Sequence, residues 1–194
     1  MRLRKPSLLI AIFVSIIGYF FTYPIHAQSV NGNWQQDLNV AMKKFIECES
    51  AGSNTSQCYQ YMAQSLQTVY QINDFSTGQS GKYMGPNEIA DFVKDGGKWE
   101  ALGPAYDRNV LNKAQEYANA KKAVIAVYKS GETQGHMALI LPGDLQISGS
   151  WGLKVPNSAS FFLNNHDRSY IGKGLSYAFT KDMLRHVVVY GRKY

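Results

Sequence analysis

Between Trp34 and Ala120 the apolar residues recur at helical spacing. From Trp34, the positions Leu38, Ala41, Met42, Phe45 and Ile46 predict a helix running to about Glu49. Residues 51–54 read as loop, and Thr55 or Ser56 can cap a second helix in which Cys58, Tyr61, Met62, Leu66 and Val69 form one stripe. That pattern fades near residues 71–74, and the Ser-, Gly- and Thr-rich run 75–85 reads as surface loop. A short helix is predicted from Asn87 to Asp95, stopped by Gly96-Gly97, with a connector from Trp99 to Pro104. Asp107 can cap a further helix carrying Val110, Leu111, Ala114, Tyr117 and Ala118.

The period changes at Ala123. Ala123 to Tyr128 is an apolar run of strand length, and a second, Met137 to Leu141, is closed by the Pro142-Gly143 turn. The link from Lys129 to Gln134 contains Gly131 and is short enough for a hairpin, so His136 enters the sheet at the start of the second strand. Trp151–Val155, Leu175–Phe179 and His186–Tyr190 are further strand candidates, and 158–164 reads as a helical turn. Helices first and strands afterwards indicate an α+β domain, with the helices packed on an antiparallel sheet.

The first 27 residues stand apart from this pattern. Arg2, Arg4 and Lys5 precede an apolar core from Leu8 to Phe21, and Ile25-His26-Ala27 ends on a small residue. These are the parts of a secretory signal cleaved after Ala27, leaving residues 28–194 as one secreted or periplasmic domain. The core is shorter than the roughly 20 residues of a spanning helix, so membrane contact is expected only through this segment if it is retained. Its loss removes three of the 20 basic residues and no acidic one, so the formal charge falls from +6 to +3. That excess suits an anionic wall or membrane surface, and with no basic block of five residues nucleic acid is not an expected partner.

Two positions can carry chemistry. Cys48 and Cys58 are the only cysteines of an exported chain. Bridged, they would stabilise the fold by about 2–3 kcal/mol in the chain-entropy model. Unbridged, Cys58 lies at the start of the second helix, where partial positive charge favours a thiolate, while Cys48 lies near the opposite pole of the first. These two readings stand level. His136, fixed at a strand start, can be a general base or an ordinary hydrogen-bonded histidine. His166 and His186 lack metal-ligand spacing and read as structural or exposed, and neither a metal nor a cofactor is expected. Gly149-Ser150-Trp151-Gly152 lacks the first half of a serine nucleophile elbow. Trp151, Phe161, Phe162 and Tyr177 can pack in the core or line a groove for sugar or stem-peptide contacts.

A helix-start cysteine, further helices, then a histidine entering an antiparallel sheet is the layout of papain-like hydrolases. The segment Asn112 to Ala126, with its Ala118-Asn119 pair leading into a strand, and Gly135-His136-Met137-Ala138-Leu139-Ile140 resemble the CHAP-type and NlpC-like cysteine amidases of bacterial walls. Gln57-Cys58-Tyr59-Gln60-Tyr61-Met62 is similar to their nucleophile turn, and the likeness runs from about Ser56 to Asn157. The resemblance implies Cys58 as nucleophile, His136 as base, and a third polar residue on a following strand, for which Asn157 is preferred over Gln146 and Ser148. It implies oxyanion donors at the Cys58 N–H and the Gln57 side chain. Cys58 lacks the Asp or Asn that often precedes it in the family, and Cys48 is a partner that could lock it.

The function implied is an exported cysteine amidase or endopeptidase cutting an amide bond in peptidoglycan or its stem peptides through an acyl-enzyme. Used against neighbouring cells, the same hydrolase would call for a cognate inhibitor protein. The rival is a non-catalytic secreted module that binds glycan or protein and is held by a Cys48–Cys58 disulfide.

Overall fold

The computed structural model describes residues 29–51, 55–78, 82–131 and 134–194, so the segment read as a secretory signal lies outside it. Four helices precede or interrupt the sheet: α1 (Trp34–Ser50), α2 (Thr55–Tyr70), α3 (Pro86–Lys94) and α4 (Arg108–Asn119). The strands are β1 (Trp99–Pro104), β2 (Val124–Tyr128), β3 (His136–Ile140), β4 (Gln146–Ser148), β5 (Leu153–Val155), β6 (Asn157–Ser160), β7 (Tyr170–Gly174) and β8 (Val187–Arg192). Six of them form one antiparallel sheet in the order β1-β8-β2-β3-β6-β7, and β4 pairs with β5 in a separate ribbon. The chain is α+β, as its pattern predicts.

The helical stripes turn inward. Leu38, Met42 and Phe45 of α1 are buried, as are Cys58, Met62, Leu66, Val69 and Tyr70 of α2. Asp107 caps α4 through the Asn109 N–H at 2.8 Å, and Pro86 occupies the first turn of α3, where its missing N–H costs nothing. Successive strand residues face opposite sides, so consecutive burial of Val124 to Val127 and of Met137 to Ile140 means that both faces of the central strands are covered. Tyr70 ties the end of α2 to β3, its hydroxyl donating to the Ile140 carbonyl at 2.7 Å. Asp74, just past α2, accepts from Arg192 Nε at 2.7 Å and from Trp99 Nε1 at 3.1 Å, which fixes that loop to β1 and β8.

Several elements differ from the sequence reading. The connector 99–104 is the edge strand β1, whose pairing with β8 skips Leu102 in a bulge before Gly103 and Pro104. The stretch 158–164 begins as strand, since Ser158 to Ser160 pair with both β3 and β7. The Leu175–Phe179 strand candidate is instead a short 3-10 turn over Leu175–Tyr177. The opposite edge, β7, carries a second bulge at Gly172, whose φ of 77° suits glycine.

Candidate active site

The β2–β3 hairpin sets His136 in place. Tyr128 pairs with His136, which makes the histidine the first residue of β3. Gly135 immediately before it is required sterically, because a Cβ there would meet the Tyr128 carbonyl at 2.6 Å and the Asn87 side chain. Asn87, in the first turn of α3, brackets the end of β2. Its Nδ2 donates to the Ser130 carbonyl and its Oδ1 accepts the Ser130 N–H, both at 3.2 Å. The Gly-His pair thus enters the sheet through a slot closed by backbone on one side and an amide on the other.

The imidazole is half-buried, 4.4 Å from the Phe162 ring and 5.4 Å, edge-on, from Phe179. Its Nε2 lies 2.6 Å from Ser160 Oγ. Ser160 is opposite Ala138, so it shares a face with His136 one diagonal step away. The Ser160 hydroxyl also lies 3.4 Å from the Met137 carbonyl. The other ring nitrogen, Nδ1, has no hydrogen-bond partner among the described residues. Burial first, and the Arg168 charge second, push the pKa of this ring down to about 4. At neutral pH it is an uncharged base, oriented through one nitrogen and able to take a proton on the other. It lines a cavity of about 400 Å³ together with Tyr128, Gln134, Phe162, Arg168, Thr180 and Met183.

Cys58 is in the bridged state. Its sulfur is bonded to Cys48, joining the last turn of α1 to the first turn of α2, and the residue is fully buried. A disulfide sulfur is not a nucleophile, and Cys58 is not among the described residues lining the His136 cavity, where the ring's hydrogen-bond partner is Ser160. The Gln57 side chain, a candidate oxyanion donor, lies outside the described structure.

Asn157 makes no hydrogen bond to the ring. It begins β6 three residues before Ser160, about 10 Å along the strand at ordinary strand rise. Its Nδ2 donates to the Pro142 carbonyl at 2.9 Å and its Oδ1 accepts from Gln146 Nε2 at 3.1 Å. Gln146 also donates to the Gly172 carbonyl, while Ser148 bonds Ser150 and the Trp151 N–H. None of the three candidates touches His136. Two serines at alternate positions, Ser158 and Ser160, both fully buried, were the available signal for the hydroxyl that meets the ring. A buried hydroxyl needs a partner, and a strand reading of 157–160 would have aimed both at one face.

No protein-family model matches this chain, and neither does any curated protein.

A larger groove of about 980 Å³ lies at the other end of β3, lined by Gln115, Asn119, Gly143, Ile147, Lys154 and neighbours. Its one hydroxyl, that of Ser148, is already bonded, and no imidazole or thiol faces it. A second groove of about 980 Å³ is lined by the exposed His186, which makes no side-chain hydrogen bond among the described residues, so the cavity of the positioned His136 is the candidate. Of the four aromatics noted, Trp151, Phe161 and Phe162 are buried and Tyr177 is exposed. His166 bonds Ser50 and faces Asp167, His186 is exposed, and among the described residues no cluster of three His, Cys, Asp or Glu could hold a metal ion.

Proposed function

We propose that this chain is an exported cysteine hydrolase that cuts an amide bond in peptidoglycan, with Cys58 as nucleophile, His136 as base and Ser160 as the group that orients the ring. The observation that carries this reading is the His136 arrangement: a neutral imidazole tied through Nε2 to the adjacent strand, with Nδ1 unpartnered, at a cavity wall. The substrate comes from the resemblance to wall amidases. The competent form is the reduced one. A dithiol opens the Cys48–Cys58 bridge, giving two thiols and the oxidised reductant. Nδ1 takes the Cys58 proton and the thiolate adds to the amide carbonyl. The Nδ1–H then protonates the departing amine, and water, deprotonated by Nδ1, releases the acyl group from sulfur.

The bridge itself favours a second reading, a non-catalytic binding module in which the disulfide is purely structural. The test is hydrolysis of purified wall with and without a dithiol, alongside melting curves. The hydrolase reading expects amine release only after reduction, lost in Cys58→Ser and kept in Cys48→Ser. A reduced protein that melts lower and releases nothing supports the binding module.

A further inference from the structure

Among the described residues, Arg168 is the only charged side chain lining the His136 cavity, and His136 is neutral near pH 7. The guanidinium carbon sits 4.5 Å from the centre of the Phe162 ring, whose centre in turn lies 4.4 Å from that of His136. That stacking sets the cation on the Phe162 ring, near enough to the imidazole for its charge to lower the ring's pKa. Its five N–H donors make no hydrogen bond or ion pair among the described residues. The acid next to it in sequence, Asp167, faces His166 at 3.3 Å instead. An exposed arginine stacked on an aromatic face, its donors unclaimed by the described residues, can grip a planar anion in a two-pronged fashion.

We propose that the cavity takes a peptide with a free carboxylate and that Arg168 binds that carboxylate beside the His136 ring. One guanidinium and a neutral imidazole, with no second cation among the described residues lining the space, match a monoanion and not a dianionic phosphate. Calling the peptide a substrate rests on the hydrolase reading above, whereas its binding does not. The site then discriminates by the group beside the bond, accepting an acid and rejecting its amide, and Arg168 is a specificity-determining residue.

The oxidised wild-type protein suits the test, because with the bridge closed no turnover competes with binding. Acetyl-glycyl-alanine and its C-terminal amide are titrated separately while the His136 ring resonances are followed by NMR. The expected result is binding of the acid at least about tenfold tighter than the amide, with the His136 signals shifting. Arg168→Gln should erase that preference at an unchanged melting temperature, and Arg168→Lys should keep part of it. Equal affinities for acid and amide, a preference that survives Arg168→Gln, or tighter binding of inorganic phosphate than of the acid each overturns the proposal. Acid preference in a protein that never hydrolyses wall leaves the anion site standing and removes the hydrolase. A hydrolase indifferent to Arg168→Gln does the reverse.

Discussion

Strand β3 has two polar ends that differ in one respect. At its far end, Gln115 from α4 donates to the Leu141 carbonyl at 3.0 Å and accepts the Asn157 N–H at 2.8 Å. Asn119 brackets Gly143 through its carbonyl and N–H, while Asn157 and Gln146 bond each other and the neighbouring carbonyls. These are amides bonded to backbone or to one another, and none of them titrates. At the near end a single titratable ring makes one hydrogen bond and has a second nitrogen without a partner beside a cavity. A saturated network fixes structure, since each member lost leaves a buried group unpaired. Unused bonding capacity at a fixed position is what a reacting group needs. The lesson is that richness in polar side chains and unused bonding capacity fall at opposite ends of one strand.

The sharpest break between the ends is His136→Ala. In the reduced protein it should lower wall hydrolysis about 10²–10⁴-fold, the usual contribution of a positioned general base, with the circular dichroism spectrum unchanged. Gln115→Leu should do the opposite. It orphans the Asn157 N–H and the Leu141 carbonyl and should cost about 2–4 kcal/mol in urea unfolding, while hydrolysis per folded molecule stays within about twofold.

Acid should also separate the ends. Folded protein keeps His136 neutral down to about pH 4, whereas an unfolded chain protonates it near its usual 6.5. Between those values the unfolded state binds more protons, so stability rises with pH across the window and is lost on acidification. The effect is at most about 3 kcal/mol. It should appear as a pH-dependent gap between wild type and His136→Gln in urea unfolding, and not with Asn157→Ala.

The smallest expected effect tests the orienting residue. Ser160→Ala should lower kcat by about tenfold with little change in KM, as expected for loss of a single hydrogen bond that fixes the ring. Asn157→Ala should leave kcat alone and cost about 1–2 kcal/mol of stability. If Asn157→Ala lowers kcat and Ser160→Ala does not, the assignment of the two ends is reversed.

The helices were legible because their stripes are long and their starts carry chemistry, as with Asp107 before α4. The β2–β3 hairpin and the place of His136 were legible for the same reason. What stayed hidden was built from residues that give weak local signals. Asn157-Ser158-Ala159-Ser160 is small, polar and poor in strand formers, and only its pairing on both sides makes it a strand. Tyr170-Ile171-Gly172-Lys173-Gly174 contains two glycines, and Trp99 to Pro104 ends in Gly-Pro, so both edge strands resemble loop in sequence. Because β6 is hidden in sequence, so is Ser160, and Asn157, which follows a more visible strand, stands out in its place. The state of the cysteines was open for another reason, since spacing alone does not decide between a bridge and a thiol.

Those same edge strands govern how the molecule behaves in a crowd. An open six-stranded sheet ends in two rows of backbone groups that could recruit another chain. On β1 the Leu102 bulge and Pro104 interrupt the row and remove a donor, and on β7 the Gly172 bulge and the exposed Lys173 twist and charge it. Neither rim offers a flat template. A chain held at high local concentration among its own copies is thereby guarded against fibre-like stacking by the residues that made its margins hardest to read.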